Sequence, residues 1–349
     1  MQWTWPSATR RPPPVTRDRR ALFLWLAACV FLVAMMVLIG GYTRLSGSGL
    51  SITEWQPIHG VIPPFSTAAW RQEFSAYKAT PQYKQVNAGM TLSGFQAIFW
   101  PEYIHRLLGR AIGLVFFLPL VIFAARRSFS KRFFWRLVVI FALGGLQGAI
   151  GWLMVRSGLV NTPAVSPVRL ALHLSTALLI YALLLWAAMD VVAGGQRSAA
   201  SKHFPLTAGR WPLAAWFSLL CLQIILGALM AGLHAGLLYN TWPDMNGHFL
   251  PESRDTIATI QFLHRNVAIL VAAGFLFWWY LHRGYVKNAR LGKVCAAVAA
   301  IIALQFMLGV ATLLHQAPLP LALAHQMTAL VLFTVAVIIL WRVKRGHST

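Results

Sequence analysis

The sequence predicts an all-α integral membrane protein, with eight transmembrane helices forming two four-helix bundles related by a pseudo-twofold axis. Three observations predict it. Of the 349 residues, 58% are hydrophobic and only 11% charged, against roughly 25% charged in soluble domains. Eight apolar runs are each long enough to cross a bilayer core, which takes roughly 20 helical residues. The motifs of the first four runs also return in the last four.

The N-terminal tail, 1–19, is basic and contains prolines. It leads into span 1, about 20–42, which is longer than a signal-peptide core and reads as a retained anchor. The long connection 43–102 carries Trp70, Phe74 and Tyr77, then Phe95 and Phe99, at helical spacing. That spacing predicts amphipathic helices lying on the membrane surface. Spans 2, 3 and 4 follow at about 103–125, 134–155 and 169–190, completing an N-terminal bundle over 20–190. A linker, 191–211, precedes the C-terminal bundle, 212–343, with spans at about 212–234, 258–281, 292–315 and 320–342. A tail, 344–349, ends the chain. Each run is read as helix because lipid offers the backbone no other hydrogen-bond partner.

The charges give the orientation. The N-terminus, the segments 126–136, 190–211 and 282–293, and the C-terminus hold two thirds of the 30 Lys and Arg. These segments alternate with the other loops, so both termini are predicted to be cytoplasmic. Six of the eight acidic residues, Glu54, Glu73, Glu102, Asp244, Glu252 and Asp255, then lie outside. The net charge of +22 is split into short clusters between apolar runs. No continuous stripe could follow a phosphate backbone, so nucleic acid is excluded as a partner; lipid is the surrounding medium. Cys29, Cys221 and Cys295 all fall inside apolar runs without CxxC spacing, which supports neither a disulfide framework nor a zinc site.

The repeat is specific. Glu102-Tyr-Ile-His105-Arg106 opens span 2 and Gln261-Phe-Leu-His264-Arg265 opens span 6. Span 3 has Leu146-Gln147 before a glycine-containing run, and span 7 has Leu304-Gln305 before another. Span 4 begins around His173 and span 8 around His325, each preceded by Leu-Ala-Leu. Trp55, Pro57 and Gly60 after span 1 are answered by Trp242, Pro243 and Gly247 after span 5. Four spans per half is an even number, so both halves enter the membrane in one direction and the symmetry axis lies along its normal.

A histidine inside a span is costly and points to function. His105, His173, His264 and His325 stand at the outer ends of the even-numbered spans, at matching depth. Two imidazoles from one bundle can face each other across a macrocycle, giving bis-histidine ligation of haem iron. The residues four positions on, Gly109, Ala177, Ala268 and Ala329, are small and share the histidine's helix face, leaving space for a flat ring. A single such histidine could equally be polar glue between helices; four in register favour ligation. Zinc fits less well, because neither bundle supplies a third ligand. His234, His315, His59 and His248 read as interfacial or surface groups, and His203, His282 and His347 as solvated ones. Arg106, Arg265 and Arg110 either snorkel to headgroups or pair with haem propionates; both readings stand. The halves differ at Glu102 against Gln261. A carboxylate beside a haem can accept protons where an amide cannot; the bland alternative is a surface carboxylate favourable to a helix dipole.

The Glu-x-x-His-Arg and Gln-x-x-His-Arg openings, with the histidines of spans 4 and 8, resemble the haem A synthase family. Gly41-Tyr42-Thr43-Arg44-Leu45-Ser46-Gly47-Ser48-Gly49-Leu50-Ser51, followed by Glu54-Trp55, is similar to its mitochondrial and proteobacterial branch. The resemblance runs from about residue 20 to 343. It implies oxidation of the C8 methyl of haem O to a formyl group for terminal oxidases, with oxygen entering from water. It implies haem b as cofactor on His264 and His325, and haem O as substrate on His105 and His173, with Glu102 catalytic. It places the chain in the cell inner membrane with the haem sites toward the periplasm. Haem O synthase and oxidase assembly factors are the protein partners it suggests, and a homo-oligomer is compatible with it. The outer-loop cysteine pair of the Gram-positive branch is missing here, so no thiol role carries over. Two other classes share features: a dihaem quinol-oxidising cytochrome and a two-bundle transporter. The cytochrome reading suffers because all four ligands share one depth, and the transporter reading because midplane helix breaks are scarce.

Overall fold

The computed structural model describes residues 17–55, 59–160, 162–194, 210–283 and 289–346. Most of the N-terminal tail, Pro57, most of the 191–211 linker with His203, and 347–349 with His347 lie outside them. Ten α-helices make up the described architecture: α1 (Arg17–Leu45), α2 (Thr67–Lys78), α3 (Pro81–Gln85), α4 (Leu92–Ala125), α5 (Lys131–Val160), α6 (Pro167–Ala193), α7 (Arg210–Gly232), α8 (Thr256–His282), α9 (Ala289–Leu314) and α10 (Leu319–Gly346). No β-strand occurs among the described residues. Eight of these helices, all but α2 and α3, are long and apolar enough to cross a membrane, as the sequence predicts.

The chain divides into two compact units, residues 1–195 and 196–349. In the first, α1 packs closely on both α4 and α6, and α5 on α6, while α4 and α5 touch sparsely. The stripe Leu22, Leu26, Cys29, Val33 and Val37 is buried and recurs every three to four residues, which is the period of one helix face. Association of helices in lipid rests on close packing rather than on release of water. The Trp25 indole N–H anchors the α1–α4 contact by donating to the Val115 carbonyl at 2.8 Å. At the far end, Arg19 donates to the carbonyls of Val191 and Val192, supplying cationic donors to the last turn of α6. Arg136 pairs with Asp190 at 2.6 Å nearby. In the second unit α7 packs on α8 and α9 on α10. The Trp216 indole N–H donates to Val271 O at 3.0 Å, at the centre of a buried cluster that includes Leu220, Phe275 and Trp278.

One element differs from its sequence-based bounds. The second span starts at Leu92, not near 103, so the long connection is 46–91 rather than 43–102. Thr91 caps the helix by accepting from the Gly94 N–H, a role suited to its hydroxyl. Phe95 and Phe99 therefore belong to this helix and not to a separate surface helix. Their rings are buried against Trp70, Phe74 and Tyr77 of α2. Counting apolar residues misses such an extension, because its apolar face meets protein and its other face is polar.

Candidate functional site

The four histidines lie on α4, α6, α8 and α10, and each is half-buried. Every one of these rings rests on a glycine of the preceding span. A Cβ added to Gly40 of α1 would stand 2.8 Å from Cε1 of His105, and one on Gly151 of α5 would stand 2.8 Å from that of His173. The same test gives 3.1 Å between Gly227 of α7 and His264, and 2.9 Å between Gly309 of α9 and His325. Real Cβ atoms essentially never come closer than 3.0 Å, so at Gly40, Gly151 and Gly309 glycine is what lets an imidazole stand between these helices, and at Gly227 a Cβ would be tight. Of the small residues one turn further on, Gly109 faces α1, where an added Cβ would stand 3.6 Å from the terminal methyl of Met36.

Hydrogen bonds orient the rings. His325 Nδ1 lies 3.1 Å from the Gln305 carbonyl, an acceptor that selects the Nδ1–H tautomer and leaves the Nε2 lone pair for a ligand bond. The Gln305 amide nitrogen is 3.3 Å from that Nε2. The Gln147 amide lies 3.1 Å from His173 Nδ1 and also donates to the His173 carbonyl at 3.0 Å. The Gln223 amide lies 3.4 Å from His264 Nε2. Nδ1 of His105 and of His264 is buried with no hydrogen-bond partner. His105 and His173 belong to the first compact unit, and His264 and His325 to the second. Among the described residues no three His, Cys, Asp or Glu side chains form a metal cluster. Two imidazoles per unit, seated on glycine, are a donor set that fits a flat six-coordinate porphyrin iron.

Glu102 and Arg106 flank His105 and turn toward the connection after α1. Glu102 is 3% exposed, and Oε2 accepts from the Ser51 N–H and hydroxyl, both at 2.7 Å, and from the Ile52 N–H at 3.0 Å. Oε1 accepts from Arg106 Nη2 at 2.7 Å and Nε at 3.2 Å. Arg106 also donates to the carbonyls of Ile52 (2.9 Å) and Glu54 (3.1 Å). Glu102 is thus neither at a surface nor at a helix terminus, and that alternative falls. In the second unit Gln261, fully buried, donates to Tyr239 O at 2.9 Å. Arg265 donates to Tyr239 O, Thr241 O and Asp244 O at 2.6, 3.0 and 2.8 Å. Both arginines face loop carbonyls. The loop tryptophans follow the repeat: Trp55 stacks on Trp152 of α5 and Trp242 meets Phe306 of α9 edge-on. His234, His248 and His315 are exposed, and His248 pairs with Glu252 at 3.0 Å.

Gly40, Gly151, Gly227, Gly309 and Gln223 do not stand out individually in the sequence, and Ser51 does so only within the stretch that resembles the family. One signal was present: a glutamine four residues before the glycine recurs at Gln147/Gly151, Gln223/Gly227 and Gln305/Gly309.

A profile of the COX15-CtaA family, described as cytochrome oxidase assembly protein, matches residues 23–337. Similar curated proteins include the "Heme A synthase" of Bradyrhizobium sp. (strain ORS 278), 45% identical over 344 residues covering 93% of this chain and 92% of that protein. That of Caulobacter vibrioides is 42% identical over 337 residues, covering 93% and 97%. That of Nitrosospira multiformis is 42% identical over 330 residues, covering 91% and 92%. Matched along nearly its whole length by both the profile and these relatives, the chain belongs to the COX15-CtaA family.

Proposed function

We propose that this protein is a haem A synthase, an oxidoreductase that converts the C8 methyl of haem O to a formyl group by successive oxidations, with water as the oxygen source. The observation that carries the reading is the set of four rings, paired within each unit and each seated on a glycine. Relatives named for this activity share more than 40% identity over almost the full chain. His264 and His325 hold haem b, and His105 and His173 hold the substrate. Haem b supplies one-electron redox chemistry when bound. Arg265, Arg106 and Arg110 add positive charge for the propionates; Arg106 and Arg265 hold the loops at the same time.

Glu102 is the proton acceptor. Its Oε1 is held by Arg106 and its Oε2 by Ser51 and Ile52, and a carboxylate so fixed beside His105 is the group that takes a proton from water or from the hydroxymethyl intermediate. The equivalent position in the second unit is Gln261, which cannot serve as a base, and this supports placing the chemistry in the first unit. The protein lies in the cell inner membrane with both termini cytoplasmic and the haem sites toward the periplasm. It receives haem O in proximity to haem O synthase and oxidase assembly factors, and a homo-oligomer is compatible with this role.

Expression with a haem O source, followed by chromatography of extracted haems, tests the proposal. Haem A is expected from the wild type. Glu102→Gln is expected to retain haem yet form no haem A, and a normal yield from it would remove Glu102 from the mechanism. A protein yielding only redox-active haem b would be a cytochrome instead.

A further inference from the structure

The arginine that follows the first histidine of each unit already has partners inside the protein. Arg106 donates to Glu102 and to the carbonyls of Ile52 and Glu54, and Arg265 to three carbonyls of the connection after α7. The first unit carries two further arginines beside its histidines, and the second unit has no counterpart to them. Arg44, in the last turn of α1, stands one turn beyond Gly40, the seat of His105. Arg169, in the first turn of α6, stands one turn before His173. Residues four apart share a helix face, so a guanidinium lies one turn toward the helix end from each ring or its seat. At the same places in the repeat, beside Gly227 and His325, stand Ala231 and Leu321. Arg44 is half-buried, and neither it nor Arg169 forms an ion pair among the described residues. Arg169 donates to Leu153 O at 2.6 Å, which uses one of the five N–H groups that a guanidinium carries.

We propose, on the reading of His105 and His173 as haem ligands, that Arg44 and Arg169 bind the two propionate carboxylates of the substrate haem. The planar fork of a guanidinium matches a carboxylate in a bidentate pair. Axial imidazoles hold the iron but leave the macrocycle able to turn in its own plane. Two carboxylates fixed one turn from the histidines stop that rotation. On the porphyrin rim the C8 methyl neighbours a propionate, so the same contacts keep it at the helix end where Glu102 stands, three residues before His105. A resident cofactor reacts at no ring carbon and needs no such constraint, in keeping with Ala231 and Leu321. The phosphate of a lipid headgroup offers an arginine at a helix end the same kind of acceptor, and a ligand without free carboxylates separates the two.

Ferric haem b and its dimethyl ester tell charge recognition from ligation. Each is titrated into the full chain in detergent, with His264→Ala as the parent so that only the first unit ligates iron, and the low-spin Soret band is followed. Arg44→Gln and Arg169→Gln are each expected to weaken haem b binding about tenfold and to leave the ester within twofold of the parent. Arg44→Lys and Arg169→Lys should recover most of the loss. If one glutamine variant does not fold, as judged by circular dichroism, the other carries the test. Unchanged haem b affinity in the folded variants would assign these arginines to lipid headgroups and overturn the proposal. An equal loss for haem b and its ester would overturn it too, because the carboxylates would then play no part. A parent showing no low-spin band with either ligand would instead sink the ligation reading, before any arginine is changed.

Discussion

At the residue scale the site depends on hydrogen atoms where other side chains would carry a Cβ. Gly309→Ala separates folding from ligation. Alanine favours a helix interior by roughly 1 kcal/mol over glycine, yet its Cβ would stand 2.9 Å from His325 Cε1. The ring must turn, and a swing of about 30° off a rotamer costs on the order of 1 kcal/mol. The expected outcome is unchanged or higher thermal stability without haem, and about tenfold weaker haem binding by titration. Equal affinity would mean that the seat is not used. The histidines were legible in the sequence because polar groups inside apolar runs are rare. The glycines were not, because glycine is common in spans and only the neighbouring helix shows which ones meet a ring. Glu102 was legible as a residue of interest, but its bonds to Ser51 and Ile52 join positions 51 and 50 apart, and no local pattern announces them.

Among the elements, the ends of helices were the least legible part. Apolar length marks where a helix enters lipid, whereas caps mark where it begins. Asp255 caps α8, accepting from the Ala258 N–H at 2.8 Å, and it also pairs with the Ser253 hydroxyl at 2.9 Å. The Ala258 N–H first, and then the Ser253 hydroxyl, hold its carboxyl below the usual carboxylate range. With the folded value depressed, the cap's contribution is complete above the unfolded value of about 4. It is lost as pH falls through the folded value. Asp255→Ala is therefore expected to lower the thermal midpoint at pH 7. The gap from wild type should close below about pH 4, followed by circular dichroism in detergent. A gap that stays constant to pH 3 would show that the charge contributes nothing to the cap. Helix α4 teaches the same lesson: Thr91 starts it and aromatic contacts with α2 sustain it, eleven residues before the apolar count would place it.

For the whole molecule, the repeat made the number of spans readable, since each half supplies one copy of every motif. What stayed hidden was how each unit closes: α4 on α1 rather than on α5, and each histidine against the span before it. Because the two units are separately compact, losing a ligand in one should spare the other. His264→Ala, or His325→Ala, is expected to abolish the haem b signal of the second unit while a bis-histidine spectrum remains obtainable from the first. An unchanged low-spin spectrum at full stoichiometry would place the ligands elsewhere.

The bonds that Glu102 makes have one more consequence. The carboxylate proposed to take up protons is also the bolt that fastens residues 51 and 52 beside His105. A neutral acid grips N–H groups and a guanidinium less firmly than its anion does. Neutralising or shortening that side chain would therefore release residues 51 and 52 from the second span, so a variant at this position changes how the connection after α1 is tied down as well as the charge.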